Sequence, residues 1–265
     1  MIKKHIKSSR GTVYYWTNDI RNSNDTAIVF CHGLTADHTL FDRQVNDLED
    51  GYKIITWDYA LHGESKPYKE ATFDNINKDL LEILSQESLK QVILVGQSAG
   101  GYIAQSFAAT YKELVLGFIG IGTTPLDKSY YKKSELFWIK HFTSIAKLYP
   151  YNYYCNLSSK SVTVSDEARI SMYNTLRRLG KQGMLDATSA IYGEFLKAED
   201  GVELSCPVLL THGEHDKIGY VKRYCRKWAV RSGYPIKIIK KASHNANYDN
   251  PLDFNQLLIS FVDSL

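Results

Sequence analysis

What the chain lacks narrows its class first. It has only four cysteines in 265 residues, Cys31, Cys155, Cys206 and Cys225. They form neither a CxxC pair nor a zinc-ligand spacing, which excludes a disulfide framework and argues for reduced, mostly buried thiols. It also lacks charge of one sign: 32 Lys+Arg stand against 29 Asp+Glu, a net +3. So small an excess gives no footprint for nucleic acid. No apolar run approaches the ~18–20 residues that span a bilayer. The segment from Met1 to Gly11 is rich in Lys and Ser and has no apolar signal-peptide core, so a cytosolic protein is the expectation. Internal repeats and low-complexity tracts are missing. Apolar residues make up 44% and charged residues 23%, which excludes disordered, collagen-like and pure coiled-coil chains.

What is there is a series of short apolar runs that end in turn residues. Ala27–Cys31 stops at His32-Gly33, Lys53–Trp57 at Asp58, Val92–Val95 at Gly96, Leu114–Ile121 at Gly122, and Val208–Leu210 shortly before His212-Gly213. Continuous rather than alternating runs predict parallel strands covered on both faces. Ile236, Ile238 and Ile239, interleaved with lysines, predict a more exposed last strand. Val13–Trp16, ahead of a polar turn at Asn22-Ser23-Asn24-Asp25, predict antiparallel strands that open the sheet. Helical faces lie between the runs: Ile76, Leu80, Ile83 and Leu84, then Ile103, Phe107 and Tyr111. At the C-terminus, Asn250 is the expected N-cap and Pro251 the first helical residue, ahead of Phe254, Leu257, Leu258, Phe261 and Leu265. Strand–helix alternation makes this an α/β protein with a mostly parallel sheet flanked by helices. The alternation breaks over 123–200, where helical segments are expected near Ser134–Leu148, Ser165–Leu179 and Gly183–Leu196. The expected organisation is a core of residues 1–122 and 201–265 and an inserted helical cap of residues 123–200.

Gly96-Gln97-Ser98-Ala99-Gly100-Gly101 carries the strongest chemical signal. A G-x-S-x-G placed directly after a buried strand and before a helix is a nucleophile elbow, whose sharp turn projects the serine hydroxyl above the sheet. The glycines are needed where strand and helix approach closely, and the helix N-terminus favours developing negative charge. A serine hydroxyl is a weak nucleophile and needs a base, which needs an orienting acid. The expected order is Ser, Asp, His. His244 lies between the last strand and the last helix. Asp216 lies just past the C-terminal end of a strand, where ligand-facing groups collect in parallel sheets; Glu214 and Asp127 are the rival acids. His212, Glu214, His215 and Asp216 have no HExxH pattern and sit on a tight loop where side chains diverge, so no metal site is expected. An acyl-transfer oxyanion needs two N–H donors. Ala99, after the nucleophile, supplies one, and the loop after His32-Gly33 the other, at Leu34. His32 itself is assigned a structural role in holding that loop, in preference to a role as base.

With these residues in place, the chain resembles α/β-hydrolase-fold serine hydrolases of the subgroup with a helical cap. The matching segments are His32-Gly33-Leu34, Asp58 to Ser65, Gly96 to Gly101, Gly213 to Asp216, and Ser243 to Asn247 with Pro251. By resemblance His62 belongs to a structural turn and is not catalytic. Two departures stand out: Gln97 where histidine is frequent, and Ser243 where glycine is usual. The notable consequence is for pocket contacts rather than mechanism. Aspartate-nucleophile relatives are excluded by the serine at position 98, whereas cofactor-free lyases and perhydrolases of the fold keep a serine triad.

The expected function is hydrolysis of a small ester, thioester or lactone, with no metal or organic cofactor. The substrate is a small molecule, an apolar or aromatic acyl compound, because the cap is rich in aromatics such as Tyr130, Tyr131, Phe137, Trp138, Phe142, Tyr149, Tyr151, Tyr153 and Tyr154. About half of these are expected to serve packing. The alternatives are a C–C hydrolase, an amidase or aminopeptidase, a perhydrolase, or a ligand-binding protein on the same scaffold.

Overall fold

The computed structural model describes residues 1–20, 25–198 and 202–265. Most of the polar turn expected at Asn22-Ser23-Asn24-Asp25 and the C-terminal border of the expected cap, at 199–201, lie outside the described residues. The strands are β1 (Ile2–Ser8), β2 (Gly11–Thr17), β3 (Thr26–Cys31), β4 (Ile54–Asp58), β5 (Gln91–Gln97), β6 (Val115–Ile121), β7 (Val208–Gly213) and β8 (Ile236–Ile239). They form one eight-stranded sheet in the order β1-β2-β4-β3-β5-β6-β7-β8. The β1–β2 and β2–β4 pairs are antiparallel and the others parallel.

The apolar runs behave as their continuity predicts. Along β3, Ala27, Val29 and Cys31 enter one core while Ile28 and Phe30 enter the other. One face is covered by α2 (Phe73–Gln86), α3 (Gly100–Thr110) and α7 (Val221–Ser232), through Ile76, Leu80, Phe107 and Trp228. The opposite face is covered by α1 (Asp42–Leu48) and, after the short α8 (Ala246–Asp249), by α9 (Pro251–Val262), through Leu48, Phe254 and Leu258. Each such side chain contributes roughly 1.5–3 kcal/mol by leaving water. The Asn250 side chain caps α9 by accepting from the Asp253 N–H, and Pro251 opens the helix.

Among the described residues, three α-helices lie between β6 and β7: α4 (Lys133–Ala146), α5 (Tyr151–Val162) and α6 (Asp166–Lys197). The two helices expected at Ser165–Leu179 and Gly183–Leu196 both form within α6 and meet at a kink at Gly180, whose φ of 78° leaves the helical region. Lys66 Nζ donates to the freed Leu179 carbonyl across 2.9 Å, pinning the break to the sheet domain. Helix α5 has no counterpart in the apolar periodicity. Its sequence is dominated by Tyr, Asn and Ser, and only Cys155 and Ser159 are fully buried.

Strand order sets the functional site. β3 leads to β4 on one side, while β5 leads to β6 on the other, yet β3 and β5 are neighbours in the sheet. Their outgoing connections therefore diverge and open a crevice at the C-terminal strand ends, where ligands bind in open parallel sheets.

Candidate active site

Ser98 occupies that crevice in the conformation an elbow demands. Its φ is 50°, left-handed and strained for a residue with a side chain. The strain is held from several sides. Ser98 N–H donates to Ile121 O at 2.8 Å, and the Ser98 carbonyl accepts from Gly101 N–H at 2.9 Å and Thr123 Oγ1 at 2.8 Å. Cys31 pairs with Gly96, which brings the loop after β3 against the elbow. A Cβ on Gly100 would lie 2.1 Å from the Cys31 carbonyl oxygen, so only glycine permits this approach.

His244 and Asp216 meet behind the serine. His244 Nδ1 and Asp216 Oδ2 are 2.8 Å apart, and both residues are buried, at 5% and 1% exposure. Burial alone would raise the Asp216 carboxyl. The imidazole beside it and the Ile218 N–H outweigh that and hold it below the ordinary carboxylate value. The rival acids are engaged elsewhere: Glu214 accepts from Lys241 N–H and Lys240 Nζ, and Asp127 accepts from Ser129 N–H. His212 Nδ1 lies 2.9 Å from the Gly213 carbonyl oxygen, and His215 Nε2 lies 3.9 Å from Glu214 Oε2.

Ser98 and His244 share one cavity of about 630 Å³ beneath the inserted helices. No hydrogen bond joins their side chains; a general base commonly makes this contact fully only in its substrate complex. The backbone N–H groups of Leu34 and Ala99 donate to no acceptor among the described residues, and both residues border the space around Ser98. His32 Nδ1 lies 2.8 Å from the Gly33 carbonyl oxygen, a loop-holding contact, and His62 Nδ1 lies 3.0 Å from Ala60 O.

Two neighbours carry more than the sequence reading gave them. Gln97 is 1% exposed, and its Nε2 donates to the His244 carbonyl at 3.1 Å. Asp249 accepts from the Ser243 N–H at 2.8 Å and from the Val164 N–H at 2.9 Å, fixing the histidine loop to the inserted helices. The Gln97–His244 and Asp249–Val164 contacts join segments far apart in the chain, so nothing in the local sequence marks them. Of the aromatics of the insertion, Phe142, Tyr149, Tyr153 and Tyr154 line the cavity, Tyr130 is packed into the core, and Phe137 is exposed.

Comparison with known proteins agrees with this architecture. A Bacillus subtilis protein provisionally named a 2-succinyl-6-hydroxy-2,4-cyclohexadiene-1-carboxylate synthase is 27% identical, over 98% of each chain. A 2-(acetamidomethylene)succinate hydrolase of Mesorhizobium japonicum is 23% identical, over 98% of this chain and 96% of its own. A thermophilic esterase from Thermogutta terrifontis superposes with a TM-score of 0.81 at 18% identity, over 100% of this chain and 99% of its own. The family model described as alpha/beta hydrolase fold matches residues 26–251, and the chain belongs to that family.

Proposed function

We propose that the protein is a serine hydrolase of the carboxylesterase kind, cleaving a small ester, thioester or lactone through an acyl-enzyme on Ser98. Ser98 Oγ attacks the carbonyl carbon and passes its proton to His244 Nε2. The oxyanion is received by the Leu34 and Ala99 N–H groups. Asp216, kept ionised, holds Nδ1–H and stabilises the imidazolium. His244 then protonates the leaving group and activates water to release the acid. Residues 123–200 act as the cap over this chemistry, on a core of residues 1–122 and 201–265.

The observation that carries this reading is convergence: a strained elbow serine and a carboxylate-paired imidazole on one cavity wall, beside two disengaged amides. The cavity also argues for an uncharged substrate. Among the described residues neither Lys nor Arg lines the space around Ser98. A carboxylate taken from water needs a cationic partner. Neutral esters therefore suit this chain better than the carboxylate compounds named for its two relatives above.

A fluorophosphonate probe is expected to label Ser98, and Ser98→Ala to abolish ester turnover. Undiminished hydrolysis by Ser98→Ala would contradict the proposal. A panel of ester, amide and β-diketone separates it from amidase and C–C hydrolase readings, because turnover of the diketone alone replaces the esterase assignment.

A further inference from the structure

The space around Ser98 has two lobes of unequal size and unlike walls. The larger, about 630 Å³, runs beneath α4 and α5 and is walled by Phe142, Ile145, Tyr153, Leu157 and Met172. The smaller, about 320 Å³, is walled by Tyr102, Tyr131, Trp138, Ile139 and Tyr224. Ser98 and Leu34 border both. His244 borders only the larger lobe, and Ala99 only the smaller.

That asymmetry assigns the two halves of the substrate. In the tetrahedral intermediate the carbonyl carbon is bonded to Ser98 Oγ, to the oxyanion, to the acyl chain and to the leaving heteroatom. When the carbon–heteroatom bond breaks, the heteroatom keeps the electron pair and takes the proton that His244 Nε2 received from Ser98. It must therefore lie on the imidazole's side of the serine, and the rest of the leaving group continues into the lobe that His244 borders. The acyl chain takes the opposite side. Resting on the serine-hydrolase reading above, we infer that the protein prefers esters of a bulky, apolar alcohol with a short, uncharged acyl group. The larger lobe holds the alcohol and the tyrosine-walled smaller lobe holds the acyl chain.

The wall chemistry fits this polarity. Burial raises the Tyr102 and Tyr131 phenols above their ordinary value, so they stay neutral. Among the described residues the charged side chain on this lobe is Glu135, a carboxylate engaged by Arg223 and the Tyr224 hydroxyl, which disfavours an acidic acyl group. Tyr102 and Tyr131 both bond Thr124 Oγ1, at 2.8 and 2.6 Å, which fixes the rings and limits how far this lobe can yield. The larger lobe is bounded by Leu157, which is 54% exposed, and by Tyr153, at 56%. Longer alcohols can extend along them toward solvent.

Two ester series test the assignment on the intact protein: acetates of straight-chain alcohols from ethyl to octyl, and ethyl esters of straight-chain acids from acetate to octanoate. The expected kcat/KM rises along the alcohol series, by up to about fourfold per buried methylene. Along the acyl series it falls at least tenfold by octanoate. Leu157→Trp, which narrows the larger lobe, is expected to flatten the alcohol series. Ile139→Trp is expected to move the acyl cutoff to shorter chains. An acyl series that rises while the alcohol series falls overturns the assignment, as do matching profiles in the two series. The absence of both ester turnover and Ser98 labelling overturns instead the hydrolase reading on which it rests.

Discussion

Gln97 Nε2 donates to the backbone carbonyl of His244 across 3.1 Å, so the residue that precedes the elbow serine anchors the loop that carries the imidazole. The same amide lies 3.4 Å from Asn245 Oδ1. Gln97 thus helps hold the His244 loop against the elbow, together with the Asp249 and Val162 contacts, without touching either reacting atom.

Removing that donor leaves the His244 carbonyl buried without its partner, a loss on the order of 1–3 kcal/mol. Gln97→Met is expected to lower kcat on a simple ester about tenfold with KM nearly unchanged. Gln97→His, which keeps an N–H donor, is expected to recover most of it. Steady-state kinetics check this, and equal activity in Gln97→Met and the native enzyme would contradict it.

Gly122 sits against the imidazole–carboxylate pair. A Cβ there would lie 3.1 Å from His244 Nδ1 and 3.3 Å from Asp216 Oδ2, at a φ of +53°. A left-handed conformation costs a residue with a side chain roughly 1–2 kcal/mol. Gly122→Ala is expected to lower Tm by a few degrees and kcat by at least tenfold. Calorimetry and steady-state kinetics on the same preparation check both.

Asp216→Asn is expected to cost about 10³–10⁴-fold in kcat, because the amide stabilises the wrong imidazole tautomer. In the native enzyme the Asp216 carboxyl titrates below the ordinary carboxylate range. Its protonation should therefore reduce kcat/KM only below the ordinary carboxylate range; a loss traced to Asp216 at or above that range, by comparison with Asp216→Asn, would contradict this.

Stability should fall toward acid before carboxylates titrate. Burial lowers His62 to about 3 and also lowers His32 and His212. An unfolded histidine takes its proton near pH 6.5. Between those limits the unfolded chain binds more protons, so folding weakens as pH falls below about 6.5, by up to roughly 1.4 kcal/mol per pH unit for each such histidine. His38 acts in the opposite sense. Burial would lower it, but Asp58 at 2.9 Å raises it, and its contribution is complete below pH 6.5 and lost as pH rises through its raised value. Urea midpoints are expected to decrease from pH 7 to pH 5, and less steeply in His62→Asn. Midpoints that hold level or rise would contradict this balance.

Local chemistry made much of this molecule legible. Ser98 is marked by glycines whose need is steric, and α9 by Asn250 and Pro251, because elbows and caps are written in adjacent residues. The strands were legible because burial on both faces demands continuous apolar runs. Helix α5 was not, because the stripe it buries is shallow and polar, with Ser159 beside Cys155. The gap expected between Leu179 and Gly183 falls where the non-helical Gly180 separates two helices, because glycine is the residue that adopts a φ of 78° without strain. Gln97 was silent for a different reason: its His244 partner arrives only with the tertiary fold, as does the Val164 partner of Asp249.

The most direct test of the account compares kcat/KM for one neutral ester in Ser98→Ala, His244→Ala and the double variant. Groups that act as one unit lose their effect together. Each single substitution should cost on the order of 10⁴-fold or more, and the double variant should be no worse than the poorer single one. Losses that multiply in the double variant, or a His244→Ala enzyme that retains native turnover, would show that the serine and the histidine do not work as a pair.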